Sequence, residues 1–214
     1  MAAAGAWDSS RHLIEAFAHA RGARADAAHD MAHITRVVAA ATRLAVDEGA
    51  LLDVVMPAAW LHDCVHVPVT SPERARASVT AADDARSFLN GIGYPEPLLQ
   101  PIHHAIAAHS FSARIEPQTV EARVVQDADR LDALGAIGIA RCLMLGGQMG
   151  RTLYDGSDPF AERRLPDDRI STLDHFYTKL LTLSATMQTA SGRREAERRT
   201  MFMRTWLDQL RSEI

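Results

Sequence analysis

The chain has 214 residues, of which 47% are apolar and 6% aromatic, and its formal net charge is −4. That length suits one well-buried domain and is short for two, while the acidic balance argues against wrapping nucleic acid or coating an anionic membrane through a basic face. Cys64 and Cys142 stand far apart and outside any Cys-x-x-Cys spacing, which disfavours a disulfide framework and a thiolate zinc site.

Alanine and leucine dominate, which favours helices over strands, so an all-α fold is expected. The N-terminus carries no basic segment followed by an apolar stretch, and no run of about 18 apolar residues occurs. A cytoplasmic protein is the expectation.

Apolar residues recur at helical spacing in nearly every segment. The first predicted helix spans Ser10 to Ala20, with Leu13, Ile14 and Phe17 inward and Gly22 as its stop. A second runs from Asp26 or Asp30 to Glu48 and presents His29, His33, Val37, Ala40 and Leu44 along one stripe. A third covers Leu51 to Asp63, and its apolar run from Val54 to Leu61 ends in His62-Asp63. After a loop from Cys64 to Thr70, Ser71-Pro72-Glu73 reads as an N-cap followed by proline at the first helical position. That helix continues to Asn90 and stops at Gly91-Ile92-Gly93. Tyr94-Pro95 opens the next, which ends near His109-Ser110, and Thr119 caps a sixth that carries Val124, Val125, Ala128 and Leu131.

The glycines of Gly135-Ala136-Ile137-Gly138 predict either close helix packing or a break between helices. From Gly146 to Asp168 the periodicity fades into a long surface segment, which reads as a lid over a site or as a passive connection. Two amphipathic helices follow, about 171–187 and 192–212. With no internal repeat or linker, one domain over 1–214 is expected.

Burying His62 and Asp63 at the end of an apolar run without partners would cost several kcal/mol, on the order of 2–7 for a polar group alone. A metal ion satisfies both at once. His29 and His33 lie one turn apart on the same helix face, and either is spaced to be a ligand. His33 is preferred because Ile34, Val37 and Val38 surround it, whereas His29 is close to the helix start, where it would contact a bound phosphate or face solvent. Within Asp127-Ala128-Asp129-Arg130-Leu131-Asp132, Asp127 is spaced to pair with Arg123 and Arg130 on a solvated face. Asp129 shares a stripe with Val125 and is the better ligand candidate; Asp132 is a candidate to orient it or a neighbouring histidine. Of the 23 basic residues only Lys179 is lysine. A position that stays lysine where arginine is used everywhere else points to a need for a compact ammonium, chance survival being the alternative.

The order His33, then His62-Asp63, then Asp129 resembles the signature of the HD-domain metal-dependent phosphohydrolase superfamily. The likeness extends to His33-Ile34-Thr35-Arg36-Val37-Val38, Trp60-Leu61-His62-Asp63, Ser71-Pro72-Glu73-Arg74, the segment from His104 to Ser112, and the segment from Val125 to Gly135. It continues through Leu153-Tyr154-Asp155, Asp158-Pro159-Phe160 and the segment from His175 to Leu181, and so covers nearly the whole chain. The resemblance implies a single-domain all-α HD-type bundle, with an HD core at about 26–134 and C-terminal helices at about 171–212. It implies a metal held between core helices by His33, His62, Asp63 and Asp129. Two imidazoles and two carboxylates leave about two positions free in an octahedral shell and suit Mn²⁺, Mg²⁺ or another first-row ion.

The reaction so implied is hydrolysis of a phosphate ester or anhydride in a small molecule, a nucleotide being the leading class, by attack of water activated at the metal. Arg74 and Arg76 are the first candidates for phosphate contact. Many relatives place a lysine or an acidic residue just after the His-Asp pair; here that stretch is Cys64-Val65-His66-Val67-Pro68-Val69. His66 is therefore the candidate general acid, or else a loop histidine without a role. His104 and His109 recur in relatives that hold a second metal, but their spacing of five favours substrate contact, and Lys179 joins the same group of candidates. A noncatalytic HD module that binds nucleotide and metal as a sensor is the alternative function. Neither nucleic acid nor membrane is expected as a partner.

Overall fold

The computed structural model describes residues 5–22, 31–65, 67, 71–110 and 113–214. Those residues are all-α: helices carry the chain, and the β-structure among them is one isolated bridge between Thr152 and Ser171. The chain divides into two compact units, Met1–Asp129 and Arg130–Ile214.

In the first unit the helices are α1 (Ala6–Gly22), α2 (Met31–Glu48), α3 (Leu52–Leu61), α4 (Ala77–Gly91), α5 (Glu96–His109) and α6 (Val120–Leu131), whose last two residues belong to the second unit. The most apolar of them, α3, is buried without interruption from Val54 to Leu61, and α1, α2 and α5 pack on it. A helix that is apolar all round can only be stable when surrounded in this way. Each large side chain so buried contributes roughly 1.5–3 kcal/mol.

Pro57 within α3 cannot donate to the carbonyl of Asp53 one turn earlier. The hydroxyl of Tyr94 donates to that carbonyl instead, at 2.7 Å. The Asp53 side chain accepts the backbone N–H of Trp7 at 2.8 Å, which ties the start of α1 to the start of α3. Ser71 accepts the N–H of Glu73, but Pro72–Arg76 forms a 3-10 turn before α4 begins. Thr119 caps α6 as expected, its hydroxyl accepting the N–H of Ala122.

α3 stops at Leu61, two residues earlier than predicted. The N–H of Cys64 closes a tight turn onto the Leu61 carbonyl at 3.1 Å. This departure matters, because successive residues of a continuing helix point about 100° apart. In the turn, the adjacent His62 and Asp63 serve one site.

The second unit contains α7 (Gly135–Gln148), α8 (Asp174–Thr178), a 3-10 turn (Leu180–Thr186) and α9 (Ala190–Glu213), with α9 packed on α7 and on the 3-10 turn. Both readings offered for the glycines hold: Gly135, with a φ of +72°, turns the chain in the break between α6 and α7, and a Cβ at Gly138 would collide with the Ala133 carbonyl. The expected helix over 171–187 is instead broken into α8 and the 3-10 turn at Lys179, whose φ/ψ of −140°/−61° is not helical. The segment between α7 and α8 is laced internally. Thr152 pairs with Ile170 and Thr172, and Arg164 donates two bonds, at 2.5 and 2.9 Å, to the fully buried Asp174.

Candidate metal centre

His33 from the first turn of α2 and His62 from the turn after α3 are both buried, and their Nε2 atoms stand 3.3 Å apart. Asp129 of α6 turns Oδ1 toward the same point, 3.5 Å from His33 Nε2 and 3.8 Å from His62 Nε2. Asp63 brings Oδ2 to 3.8 Å and 3.6 Å from the same two nitrogens. Donors about 2.1 Å from one ion stand about 3.0–3.4 Å apart in an octahedral or tetrahedral shell. The observed pairs are wider by a few tenths of an ångström, and they form two groupings that share His62: His33, His62 and Asp129 make one, and Asp63 belongs to the other.

The protonation of the rings tests whether a cation fits. His62 Nδ1 lies 2.8 Å from the carbonyl of Ala59, which only accepts, so Nδ1 carries the proton and Nε2 of the neutral ring offers a lone pair. That lone pair faces two carboxylate oxygens. Burial drives the His62 pKa down, against the opposing charge of Asp63, so the neutral ring is favoured. A lone pair and carboxylates converging in a buried place repel one another unless a cation lies between them. The donor set therefore fits a divalent ion.

His109 completes a second grouping with His62 and Asp63. Its Nδ1 lies 2.6 Å from the Ile106 carbonyl, so its Nε2 is turned to Asp63 Oδ1 at 3.7 Å, and its ring stands edge-on to His62 with centroids 4.9 Å apart. Burial lowers the His109 pKa, but the hydrogen bond to Asp63 and the charges of Asp63 and Asp129 outweigh it, and the net direction is upward. Sequence spacing put His109 near the end of α5, and that is what makes the contact possible: as the last residue of the helix it turns its ring inward.

Three successive carbonyls at this helix end are satisfied by side chains. His109 takes that of Ile106, Ser78 Oγ donates to Ala107 at 2.9 Å, and Gln126 Nε2 donates to Ala108 at 2.7 Å. The last carbonyls of a helix have no intrahelical partner, and here α4 and α6 supply them. Gln126 was not among the residues singled out from sequence. Its place three residues before Asp129 was the available signal.

Comparisons with known proteins place the chain in a family. The HD domain family model matches residues 31–134, a span that contains all four signature residues. The uncharacterized protein YpgQ of Bacillus subtilis (strain 168) is 37% identical over 190 residues, covering 87% of this chain and 84% of YpgQ. The chain belongs to the HD-domain superfamily. Among solved structures, that of B. subtilis YpgQ in complex with ADP aligns with a TM-score of 0.72 at 34% identity, covering 95% of this chain and 97% of the other. An HD-superfamily hydrolase from Bacillus thuringiensis aligns with a TM-score of 0.75 at 32% identity, covering 96% and 97%.

The other sequence candidates fall in several places in this HD chain. His104 does not join the cluster. Its Nε2 accepts the backbone N–H of Gln118 at 3.0 Å, and burial together with His103 lowers its pKa. Arg76 ends the 3-10 turn before α4 and is exposed. His29 and His66 lie outside the described residues, as does the side chain of Arg74. Lys179 belongs to the second unit, at the end of α8.

One sequence reading around α6 is corrected. Asp127, expected on a solvated face, is fully buried, because α6 turns Gln126 and Asp127 inward as well as Val125 and Ala128. Asp132, the candidate to orient Asp129 or a neighbouring histidine, pairs with Arg141 at 2.8 Å within the second unit. No helix among the described residues is long and apolar enough to cross a membrane.

Proposed function

We propose that the protein is a metal-dependent phosphohydrolase that cleaves a phosphate ester or phosphoanhydride in a small molecule, a nucleotide being the favoured substrate class. The observation that carries this reading is the convergence of His33 Nε2, His62 Nε2, Asp63 Oδ2 and Asp129 Oδ1 within ion-sized distances. The ADP complex of YpgQ supports the nucleotide class, and the HD-superfamily hydrolase of B. thuringiensis supports hydrolysis.

Mn²⁺ or Mg²⁺ held by these four side chains would supply Lewis acidity toward a phosphoryl oxygen and a water of lowered pKa. The chain's own residues do the rest. The Ala59 carbonyl fixes the His62 tautomer, so that Nε2 is always presented as a donor. Asp63 turns Oδ2 to the cluster while Oδ1 faces His109 Nε2, so one carboxylate fixes the position of two imidazoles. His109, beside Asp63, is a further proposed contact for whatever binds at the cluster. Arg74, Arg76, His29 and His104 are the proposed substrate contacts on this unit, and His66 the proposed proton donor to the leaving oxygen.

The test is a panel of nucleoside mono-, di- and triphosphates offered to metal-stripped protein reconstituted with Mn²⁺ or Mg²⁺, with orthophosphate and pyrophosphate resolved. Turnover that needs metal and is lost in Asp63→Ala is expected, and the released product names the bond cleaved. Nucleotide binding without metal-dependent turnover would instead favour the noncatalytic sensor.

A further inference from the structure

The second unit brings together a different set of polar groups, remote in sequence from the HD signature. Asp168 Oδ2 accepts His175 Nδ1 at 2.6 Å and Thr178 Oγ1 at 3.0 Å. Half-buried, His175 is held like the histidine of a catalytic dyad, with Nδ1 committed to a carboxylate. At the next position α8 ends, and the Lys179 N–H bonds the His175 carbonyl at 3.1 Å while its side chain is exposed. Arg151 reaches the same edge from the end of α7. Its N–H bonds Gly146, and the next residue, Thr152, pairs with Ile170 and Thr172 and so lies beside the strip that carries Asp168.

The charges of these groups act on one another in a way that accords with this placement. Burial lowers the His175 pKa first, the Asp168 bond opposes this, and the charges of Lys179 and Arg151 lower it further. Both cations also act on the buried thiol of Cys142, which burial pushes up to about 11. Against these two cations stands the single carboxylate of Asp168, already engaged by His175, so the edge stays net positive and favours an anion. The neutral Nε2 of His175 accepts the O–H of a protonated phosphate, or donates to the dianion once it has taken up that proton.

We propose that Arg151, His175 and Lys179, with Asp168 as the residue that orients His175, form a phosphate-binding site on the second unit, for the phosphoryl group of a phosphorylated small molecule. Two independent observations meet here: Lys179 is the single lysine of the chain, and the fold sets it beside an Asp–His pair and an arginine. Arg151 and His175 had no role in the hydrolase reading, and the proposal does not depend on that reading, because it concerns phosphate binding by metal-free protein.

The single lysine makes a direct test possible. Protein grown with lysine carbon-13 labelled at Cε gives one lysine signal, which is followed in the chelator-treated full chain as inorganic phosphate and then pyrophosphate are added. A saturable shift of the Lys179 signal is expected, tighter for pyrophosphate, and weakened roughly tenfold by Arg151→Met. Lys179→Met is expected to weaken pyrophosphate binding by a similar factor in calorimetry. Both substitutions are at solvent-reached positions, and thermal unfolding checks that the fold persists. A Lys179 signal that does not move at tens of millimolar pyrophosphate, or binding untouched by both variants, would overturn the proposal. Loss of phosphate hydrolysis with this binding intact would count against the hydrolase reading alone.

Discussion

Carboxylates are handled in opposite ways in the two units, buried against guanidinium groups in the second and part-exposed beside buried imidazoles in the first. In the second, Asp174 is fully buried and carries its own counter-charge: Arg164 donates twice to it, and the backbone N–H of Asp167 donates a third bond at 2.6 Å. Asp132 is matched with Arg141 in the same manner. In the first unit Asp63 and Asp129 face imidazole nitrogens whose other sides are committed to helix carbonyls. A carboxylate matched to a guanidinium is complete and stabilises. Carboxylates set against lone pairs are completed by a cation, and the cost of assembling them is the mark of a site rather than of a core.

The two arrangements should respond oppositely to mutation, and the largest effects lie there. Asp63→Ala is expected to lower metal affinity by more than roughly a hundredfold, beyond what outer-shell partners cost, while leaving the metal-free protein as stable as before or more so. Calorimetric metal titration and thermal unfolding in chelator check the two halves. Asp174→Ala should do the reverse, leaving Arg164 without its partner and lowering Tm on the order of 10 °C, with metal affinity unchanged. A metal-free Asp63→Ala protein that melts well below wild type would erase the contrast. Excess Mn²⁺ should raise the Tm of wild type, by the equivalent of about 2.7 kcal/mol at a hundred times Kd, and should leave that of Asp63→Ala where it was.

Much of this was legible in the sequence, and the parts that were not share a cause. The helices of the first unit and the capping by Thr119 follow from apolar periodicity and turn chemistry, and the set His33, His62, Asp63 and Asp129 from polar residues interrupting that pattern together with the family resemblance. The exit of the chain from α3 at Leu61 did not, because a turn that lets adjacent residues face one point leaves the periodicity of the preceding helix untouched. The burial of Asp127 was missed because Arg123 and Arg130 at helical spacing offered it a local partner. The break at Lys179 was missed because Leu180, Leu181 and Leu183 keep an apolar pattern that suits either a helix or a 3-10 turn.

Gln126 sharpens the comparison at a smaller scale. By holding the Ala108 carbonyl it fastens the end of α5, and so His109, to the helix that carries Asp129. Gln126→Met keeps the volume and removes the donor. Metal affinity should fall roughly tenfold, with kcat falling more than KM changes. Equal affinity with a lowered Tm would reduce Gln126 to a structural tie.

The smallest expected effect is in the second unit and is set by pH. Glu195 on α9 is held by Arg198 first and Arg199 next, which lower its pKa from 4.5 to about 2. Arg199 also donates to the Leu131 carbonyl at 2.7 Å, so the same guanidinium ties α9 to the end of α6. A carboxyl whose folded pKa is depressed stabilises the fold above its unfolded value, and the contribution disappears as pH falls through the folded one. Stability from Glu195 is therefore fully present above about pH 5 and is lost between there and about pH 2. Arg198, its first partner, is 70% exposed, and solvent screening limits the gain at neutral pH to about 1 kcal/mol or less. Urea unfolding of wild type and Glu195→Gln at successive pH values should show a small gap at pH 7 that closes toward pH 2 and shrinks in high salt. A gap that widened on acidification would mean that the glutamine variant had disturbed the packing of α9 rather than its ion pairs.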